Sequence, residues 1–167
     1  KLSGTFAGLI VLQGTDSNVR VGYFDLETLN NIGSINPGTK VEIDHIDIKI
    51  GGDANADRAI YFNISGSTYD DSSIHHCNIQ LPYNPTNSYF GPDCIQGGCV
   101  GYSIYNNVIT GYIDNSLTTT QHADGIQALG GSYIKAYKNV ICTMTNYGMY
   151  WEANLATFHH LRIYNNF

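Results

Sequence analysis

A short apolar pattern recurs six times along this 167-residue chain and limits what it can fold into. In each copy two mostly apolar residues alternate with other residues, two residues break the alternation, and a second short alternation follows. The copies lie at residues 19–26, 41–48, 72–79, 102–109, 134–141 and 161–166. A strand, a corner and a second strand recurring every 22 to 32 residues, with no helical segment between the copies, is typical of a parallel β-solenoid.

A second family of strands lies between the copies. In it a small residue precedes an apolar one, at Gly8-Leu9, Ala59-Ile60, Cys94-Ile95, Gly125-Ile126 and Gly148-Met149. The second repeat has no clear copy, and segment 30–34 is the nearest candidate. Two strand families in register predict at least two sheets per coil, with a third that is shorter and less regular.

The pattern therefore predicts an all-β chain of about six rungs, forming one domain over residues 1–167. The sixth copy runs into Phe167 without a cap, and the chain begins at Lys1 without an initiator Met. Because open solenoid ends expose strand edges, we expect either a segment of a longer solenoid or a homo-oligomer that covers an open end.

Stacking of successive rungs about 4.8 Å apart predicts two rows of identical side chains. One is an internal amide row, formed by Asn107, Asn139 and Asn166. The other is an external aromatic row, formed by Tyr105, Tyr137 and Tyr164.

Charge and composition exclude several classes of partner. The net charge is −6, only 13% of residues are charged, and Lys and Arg occur singly along the sequence, so no nucleic-acid partner is expected. No apolar run reaches the length of a membrane span. A weakly charged chain rich in Asn, Ser, Thr, Tyr and Gly is typical of secreted proteins, and we expect it outside the cell or on a cell or virion surface.

The cysteines leave the redox compartment open. Cys77 and Cys142 occupy or adjoin inward positions and are interpreted as core residues. Cys94 and Cys99 flank Gly97-Gly98, a loop short and flexible enough for a disulfide, although two thiols fit the same spacing.

The candidate catalytic residues are Asp93, His122 and Asp124. Asp93 and Asp124 share a register position in successive rungs, which places the two carboxylates roughly 5 Å apart at the backbone. Paired carboxylates at such distances are what glycoside hydrolysis requires. His122 lies close enough in sequence to Asp124 to move or position a proton.

The same register predicts a row of substrate-binding side chains beside the carboxylates. Its members are Arg58, Tyr61, Gln96, Gln127 and Tyr150. Long polar loops at residues 82–91 and 110–123 precede the two aspartates, and long insertions on one solenoid edge often wall a binding groove. The alternative is that both aspartates are corner residues, which accept hydrogen bonds from backbone amides and have no catalytic role.

One loop allows a metal ion. Asp53, Asn55 and Asp57 place oxygen ligands at alternating positions, as at the start of a calcium loop, but Ile64 stands where the closing Glu is expected. Ca²⁺ is therefore a candidate cofactor and a plain polar loop is the alternative. The adjacent pairs His75-His76 and His159-His160 are expected to point to opposite sides of a strand, which argues against joint metal ligation.

Three segments carry a family resemblance. The stretches H-A-D-G-I-Q-A-L-G-G-S-Y-I-K-A-Y-K-N-V-I (122–141), D-C-I-Q-G-G-C-V-G-Y-S-I-Y-N-N-V-I (93–109) and L-R-I-Y-N-N-F (161–167) resemble right-handed parallel β-helix proteins of the pectate-lyase-like superfamily. The resemblance covers residues 41–167 and implies a right-handed coil. It implies activity less sharply, because the superfamily includes polysaccharide lyases, hydrolases, epimerases, phage tailspikes and adhesins.

The motifs of the polygalacturonase-type hydrolases are matched only at single residues. Asp124 resembles part of N-T-D, Asp93 half of D-D, and Leu161-Arg162-Ile163 resembles R-I-K, while Gly-His-Gly is absent. Two functional hypotheses follow: an enzyme acting on an acidic polysaccharide, lyase or hydrolase, or a non-catalytic carbohydrate-binding, adhesin or phage-fibre solenoid.

Overall fold

The computed structural model describes part of the chain, in twelve segments. These are residues 10–12, 19–22, 25–28, 35–37, 41–50, 58–62, 72–80, 93–98, 100–111, 124–142, 147–152 and 158–167. All the regular elements in these segments are β-strands, as the repeat predicts.

Seventeen short strands form three sheets. The first sheet contains β1 (Ile10–Leu12), β4 (Ile35–Pro37), β7 (Arg58–Phe62), β10 (Asp93–Gly97), β13 (Ile126–Ala128) and β16 (Met149–Trp151). The second contains β2 (Val19–Gly22), β5 (Val41–Asp44), β8 (Ser73–His75), β11 (Ser103–Tyr105), β14 (Lys135–Tyr137) and β17 (Arg162–Tyr164). The third contains β3 (Asp25–Thr28), β6 (Asp47–Ile50), β9 (Asn78–Gln80), β12 (Val108–Thr110) and β15 (Val140–Cys142).

The order of the strands follows a coil. Each strand pairs in parallel with the strands three before and three after it, so the chain visits the three sheets in turn. Three consecutive strands, one from each sheet, are termed a rung. Stacked parallel sheets filled in this order are consistent with a parallel β-solenoid.

The pairing register agrees with the sequence repeat. Gln96 lies opposite Gln127, and Ile109 lies opposite Ile141. In the first two rungs the match holds in the second and third sheets, where Val21 lies opposite Ile43 and Leu26 opposite Ile48, and fails only in the first sheet. There Ile10, not Leu9, shares the register of Ile60, and the strand expected at 30–34 is β4, which begins at Ile35.

The third sheet is as regular as the second. Its strands have three or four residues, like those of the second sheet, and pair residue by residue through all five members. The expectation of a shorter, less regular third sheet is therefore wrong. The corner between the second and third sheets is only two residues long, so it fixes the register of both.

Isoleucine columns fill the core between the sheets. The fully buried members are Ile43, Ile74 and Ile104 of the second sheet, Ile48, Ile79 and Ile109 of the third, and Ile60, Ile95 and Ile126 of the first. Since burying one such side chain contributes about 1.5–3 kcal/mol, the columns are the main source of cohesion. Cys77 and Cys94 belong to this core, and neither forms a disulfide with another cysteine of the described segments. Burial raises the pKa of the Cys77 thiol to about 11.

Residues in the left-handed region form the corner between the second and third sheets. Its members, one in each of five successive rungs, are His45, His76, Asn106, Lys138 and Asn165, with φ between 51° and 56°. The sequence predicts Gly and Asn at such corners. The finding that His and Lys also adopt this conformation shows that the neighbouring ladders hold the corner against its local cost.

Both predicted side-chain rows are confirmed. The amide of Asn107 donates to the Oδ1 of Asn139 over 3.0 Å, and that of Asn139 donates to the Oδ1 of Asn166 over 2.9 Å. The rings of Tyr105 and Tyr137 stack at 4.9 Å, as do those of Tyr137 and Tyr164. Among the described segments, no helix is long and apolar enough to cross a membrane.

Candidate functional site

The two aspartates predicted to be catalytic occupy buried corners of the first sheet. Asp93 is 3% exposed and Asp124 is fully buried. Asp93 accepts a hydrogen bond at Oδ1 from the backbone N–H of Asp124, over 3.1 Å. Asp124 in turn accepts one at Oδ1 from the backbone N–H of Tyr147, also over 3.1 Å. Each carboxylate therefore holds the start of the next rung.

The second oxygen of Asp93 is also engaged. Gln96 donates through Nε2 to the Oδ2 of Asp93 over 3.0 Å, and through the same nitrogen to the Oε1 of Gln127. Gln96 and Gln127 are themselves buried. The structure thus brings together the central part of the predicted row, but as a buried polar network whose members bond to one another.

The outer members of the predicted row keep their register. Arg58 aligns with Asp93, Tyr61 with Gln96, and Tyr150 with Gln127. The rings of Tyr147 and Tyr150 stack at 5.2 Å, and the charge of Glu152, followed by burial, raises the pKa of Tyr150.

Several predicted residues lie outside the described segments. They are His122 of the catalytic set, Cys99, and the candidate calcium ligands Asp53, Asn55 and Asp57. Segment 82–91 lies there too, with almost all of the second loop. The predicted roles of these residues stay predictions.

A second cluster of ionisable side chains lies where β5 and β8 end. One ligand atom from each of Glu42, Asp44 and His75 lies within 4.8 Å of the other two. His75 Nε2 is 2.8 Å from the Oε1 of Glu42, and the Nδ1 of His45 is 2.9 Å from the Oδ2 of Asp44. Asp44 is fully buried and His75 nearly so, whereas the Glu42 side chain is 44% exposed.

The pair His75-His76 does not point to opposite sides, so that expectation is wrong. Strand β8 ends at His75, and His76 has a φ of 54°, which breaks the alternation of a strand. The two Nδ1 atoms are 2.8 Å apart, and the ring of His76 stacks on that of His45 at 5.0 Å. Burial, and then the charges of His75 and His45, lower the pKa of His76.

The sequence contains a signal for this cluster. Asp44-His45 and His75-His76 occupy the same two positions of successive repeats, because Asp44 pairs with His75. Counting back two residues from Ile46 and from Cys77 gives Asp44 and His75, which share a register position. His45 and His76 are the residues that follow them. The direction of the second histidine of each pair depends on the left-handed backbone of the corner, which the sequence pattern does not reveal.

A third set of side chains forms a cationic and aromatic face on the second sheet. Lys135 lies directly opposite Arg162 in the β14–β17 pair, and both side chains are exposed. Lys138, the residue after Tyr137, is exposed at the following corner, and its backbone N–H donates to the carbonyl of Tyr164 over 3.3 Å. Two of the chain's eight Lys and Arg residues are therefore neighbours on adjacent strands, and a third follows at the corner, although the three are dispersed in the sequence.

The electrostatics of this face are locally positive. The strands β11, β14 and β17 carry no carboxylate. Repulsion between Lys135 and Arg162 is therefore not offset on these strands, and an anion placed above them would relieve it. The phenol hydroxyls of the adjoining row can donate or accept hydrogen bonds.

Comparison of the chain with protein-family models, with curated proteins and with solved structures finds no match.

Proposed function

We propose that this chain forms a right-handed parallel β-helix that binds an acidic polysaccharide without cleaving it. Binding takes place on the outer face of the second sheet, through Lys135, Lys138 and Arg162 with the tyrosine row beside them. The single observation that carries the proposal is that the exposed Lys135 and Arg162 are paired on the two strands that also carry the stacked Tyr137 and Tyr164, with the exposed Lys138 at the next corner.

The coil supports this proposal through its parallel strand order. Parallel crossovers within one sheet are right-handed in nearly all proteins, which favours a right-handed coil. The stacked tyrosine rings repeat at 4.9 Å along the face. A row of rings with a constant spacing suits a ligand that is itself a regular polymer, since successive residues of the ligand can meet successive rings.

The chemistry of the face selects an anionic sugar polymer. Arg and Lys form charge-assisted hydrogen bonds to carboxylates, and Arg can do so with two parallel bonds. Phenol hydroxyls match the hydroxyl groups of sugars. Such a ligand is met outside the cell or on a cell or virion surface, which is where we place the protein.

Binding without cleavage is favoured by the state of the two aspartates. A general acid or base must reach the proton it transfers. Asp93 and Asp124 are buried, and each accepts a hydrogen bond from a backbone N–H of the following rung. Their hydrogen bonds fit the role of corner residues that tie one rung to the next.

The test combines a binding measurement with a search for cleavage. Titration calorimetry with polygalacturonate or alginate should show saturable binding to the whole chain, and neutral dextran should give none. The double variant Lys135→Gln/Arg162→Gln should bind roughly five- to thirtyfold more weakly, because two exposed charge pairs contribute about 1–2 kcal/mol. Lys49→Gln, which removes one charge from β6 in the third sheet, is the control and should bind as wild type does.

Two results would contradict the proposal. Equal binding of single-stranded DNA and of the polyuronates would mean that the face attracts any polyanion. Release of unsaturated uronate or of reducing ends by the wild type, lost in Asp124→Asn, would instead identify an enzyme acting through Asp93, His122 and Asp124.

A further inference from the structure

We propose that the corner where β5 and β8 end is a binding site for one divalent transition-metal ion of the zinc class, ligated by Glu42, Asp44 and His75. This site lies on the second sheet but on different strands from Lys135 and Arg162, and it does not depend on the proposed polysaccharide binding.

The donor set fits such an ion. Two carboxylate oxygens and one imidazole nitrogen are ligands that Zn²⁺ takes with bonds of about 2.0–2.2 Å. Ligand atoms of a tetrahedral site then lie roughly 3–3.5 Å from one another. The three atoms here already lie within 4.8 Å, so small side-chain rotations complete the site. The imidazole favours zinc-like ions over Ca²⁺, which prefers oxygen ligands alone.

The scaffold holds two of the three ligands rigidly. Asp44 and His75 are paired residues of adjacent strands, not loop residues, and both are buried. Because backbone pairing fixes the two residues side by side, an ion that binds both side chains needs little rearrangement of the chain. Glu42 is 44% exposed, which leaves one side of the site open to water or to a further ligand.

The neighbouring histidines fit the surroundings of a metal ligand. An imidazole that binds a metal through one nitrogen is usually oriented by a hydrogen bond at the other. His75 has Nε2 beside Glu42 and Nδ1 at 2.8 Å from the Nδ1 of His76. His45 contacts Asp44 at 2.9 Å in the same way. The His45 and His76 rings also stack on each other at 5.0 Å, which restrains the orientation of both.

The test is a titration of the whole 167-residue chain with Zn²⁺ after removal of metals by a chelator. Calorimetry should show one saturable site, and Co²⁺ as a substitute should give visible absorption bands of a low-coordinate N/O site. His75→Gln and Glu42→Gln should each weaken Zn²⁺ binding roughly tenfold or more. His160→Gln removes an exposed histidine of another corner, where it stacks on Tyr133, and should bind as wild type does.

Three results would overturn the proposal. They are no saturable binding by the wild type, equal affinity in the wild type and in Glu42→Gln, and Ca²⁺ binding as tight as Zn²⁺ binding. Glu42→Gln keeps the test decisive if His75→Gln does not fold, because its side chain is half-exposed and its loss leaves the core intact. Circular dichroism of each variant verifies that the fold is retained.

Discussion

Asn139 is the residue on which three successive rungs depend. Its Oδ1 accepts from the backbone N–H and from the side-chain amide of Asn107, over 3.1 and 3.0 Å. Its Nδ2 donates to the carbonyl of Ile104 and to the Oδ1 of Asn166, over 3.1 and 2.9 Å. The side chain is fully buried, so no water can replace these partners.

We predict that Asn139→Ala lowers the free energy of unfolding by about 2–4 kcal/mol. The cost arises because truncation leaves several buried backbone and amide groups without their partner, and each such group costs about 1–3 kcal/mol when it is not re-solvated. Urea unfolding followed by circular dichroism measures the change. Asn78→Ala, at an exposed position of β9, is the control and should stay within about 0.5 kcal/mol of wild type. Equal effects of the two variants would show that the asparagine row does not hold the rungs.

Gly125 and Gly148 occupy the same position of adjacent rungs but differ in the room around them. A Cβ on Gly125 would lie 2.5 Å from the carbonyl oxygen of Gly148 and 2.6 Å from the Cγ2 of Ile141. A Cβ on Gly148 would meet the same Cγ2 at 3.6 Å, which is ordinary van der Waals contact.

We predict that Gly125→Ala is destabilising by about 1–3 kcal/mol, since the backbone carbonyl of Gly148 cannot move without breaking the ladder. Gly148→Ala should be neutral or slightly stabilising, because alanine also reduces the freedom of the unfolded chain. The midpoints of thermal unfolding of the two variants, compared directly, check this pair. A larger loss in Gly148→Ala than in Gly125→Ala would contradict the packing described here.

At the scale of elements, the tyrosine row joins three neighbouring strands of the second sheet. Tyr105, Tyr137 and Tyr164 stack in register on β11, β14 and β17, and His75 of β8 extends the row at 4.6 Å. Burial raises the pKa of Tyr105 and of Tyr137, and the neighbouring phenols add to the shift. The phenols of Tyr105 and Tyr137 therefore ionise less readily than a free tyrosine, because each phenolate would be partly buried and close to the next phenol.

The raised pKa values predict the response of the row to alkaline pH. A phenol that holds its proton more tightly in the folded chain stabilises the fold at pH values below its unfolded pKa of about 10. That contribution is lost as the pH rises through the higher folded-state pKa. Ultraviolet titration should show Tyr105 and Tyr137 ionising at higher pH in the folded chain than in urea. The late phase should become smaller by the amplitude of two tyrosines in Tyr105→Phe/Tyr137→Phe, leaving that of Tyr150, whose pKa is also raised. A late phase of undiminished amplitude in this variant would rule the row out as its source.

The sequence repeat was sufficient for the register of the second and third sheets in every rung, and for that of the first sheet from the third rung onward. Asparagines and tyrosines that recur about thirty residues apart indicate rows of stacked side chains, because equivalent positions of successive rungs lie directly above one another. The strand β4 does carry a small residue before an apolar one, as Ser34-Ile35, but it ends at Pro37, and proline argues against assigning a strand from sequence. The buried state of Asp93 was equally hidden, because alternation in a strand does not reveal what covers its outer face.

The Glu42, Asp44 and His75 cluster and the Lys135 and Arg162 pair were missed for a different reason. Each joins residues from adjacent repeats that differ in type, and a search for identical residues passes over them. The left-handed corners contribute as well, because they turn His76 and Lys138 away from the direction that strand alternation predicts. To predict a site of this kind from the sequence, the strand register must be assigned first. The side chains that share or adjoin a register position can then be compared for their chemistry.

At the scale of the whole molecule, the net charge is negative but one face of the second sheet is locally positive. The chain carries a net charge of −6, yet Lys135, Lys138 and Arg162 share one face whose strands have no carboxylate. Charges elsewhere that lie more than about 8–10 Å away are largely screened at physiological ionic strength. An anionic polymer therefore meets the local charge of the face before it meets the net charge of the protein.

This distribution predicts a shallow dependence of polyuronate binding on salt. Three cations that each release about 0.7 of a counterion from a single-stranded polyanion give a slope of about −2 in a plot of log K against log salt concentration. Lys135→Gln/Arg162→Gln should reduce the magnitude of the slope to below about 1, because one cation of the face remains. Titrations at several NaCl concentrations measure both slopes, with Lys49→Gln as the variant that should retain the wild-type value. A slope much steeper than −3 in the wild type would require more cations than this face provides and would place the binding surface elsewhere on the chain.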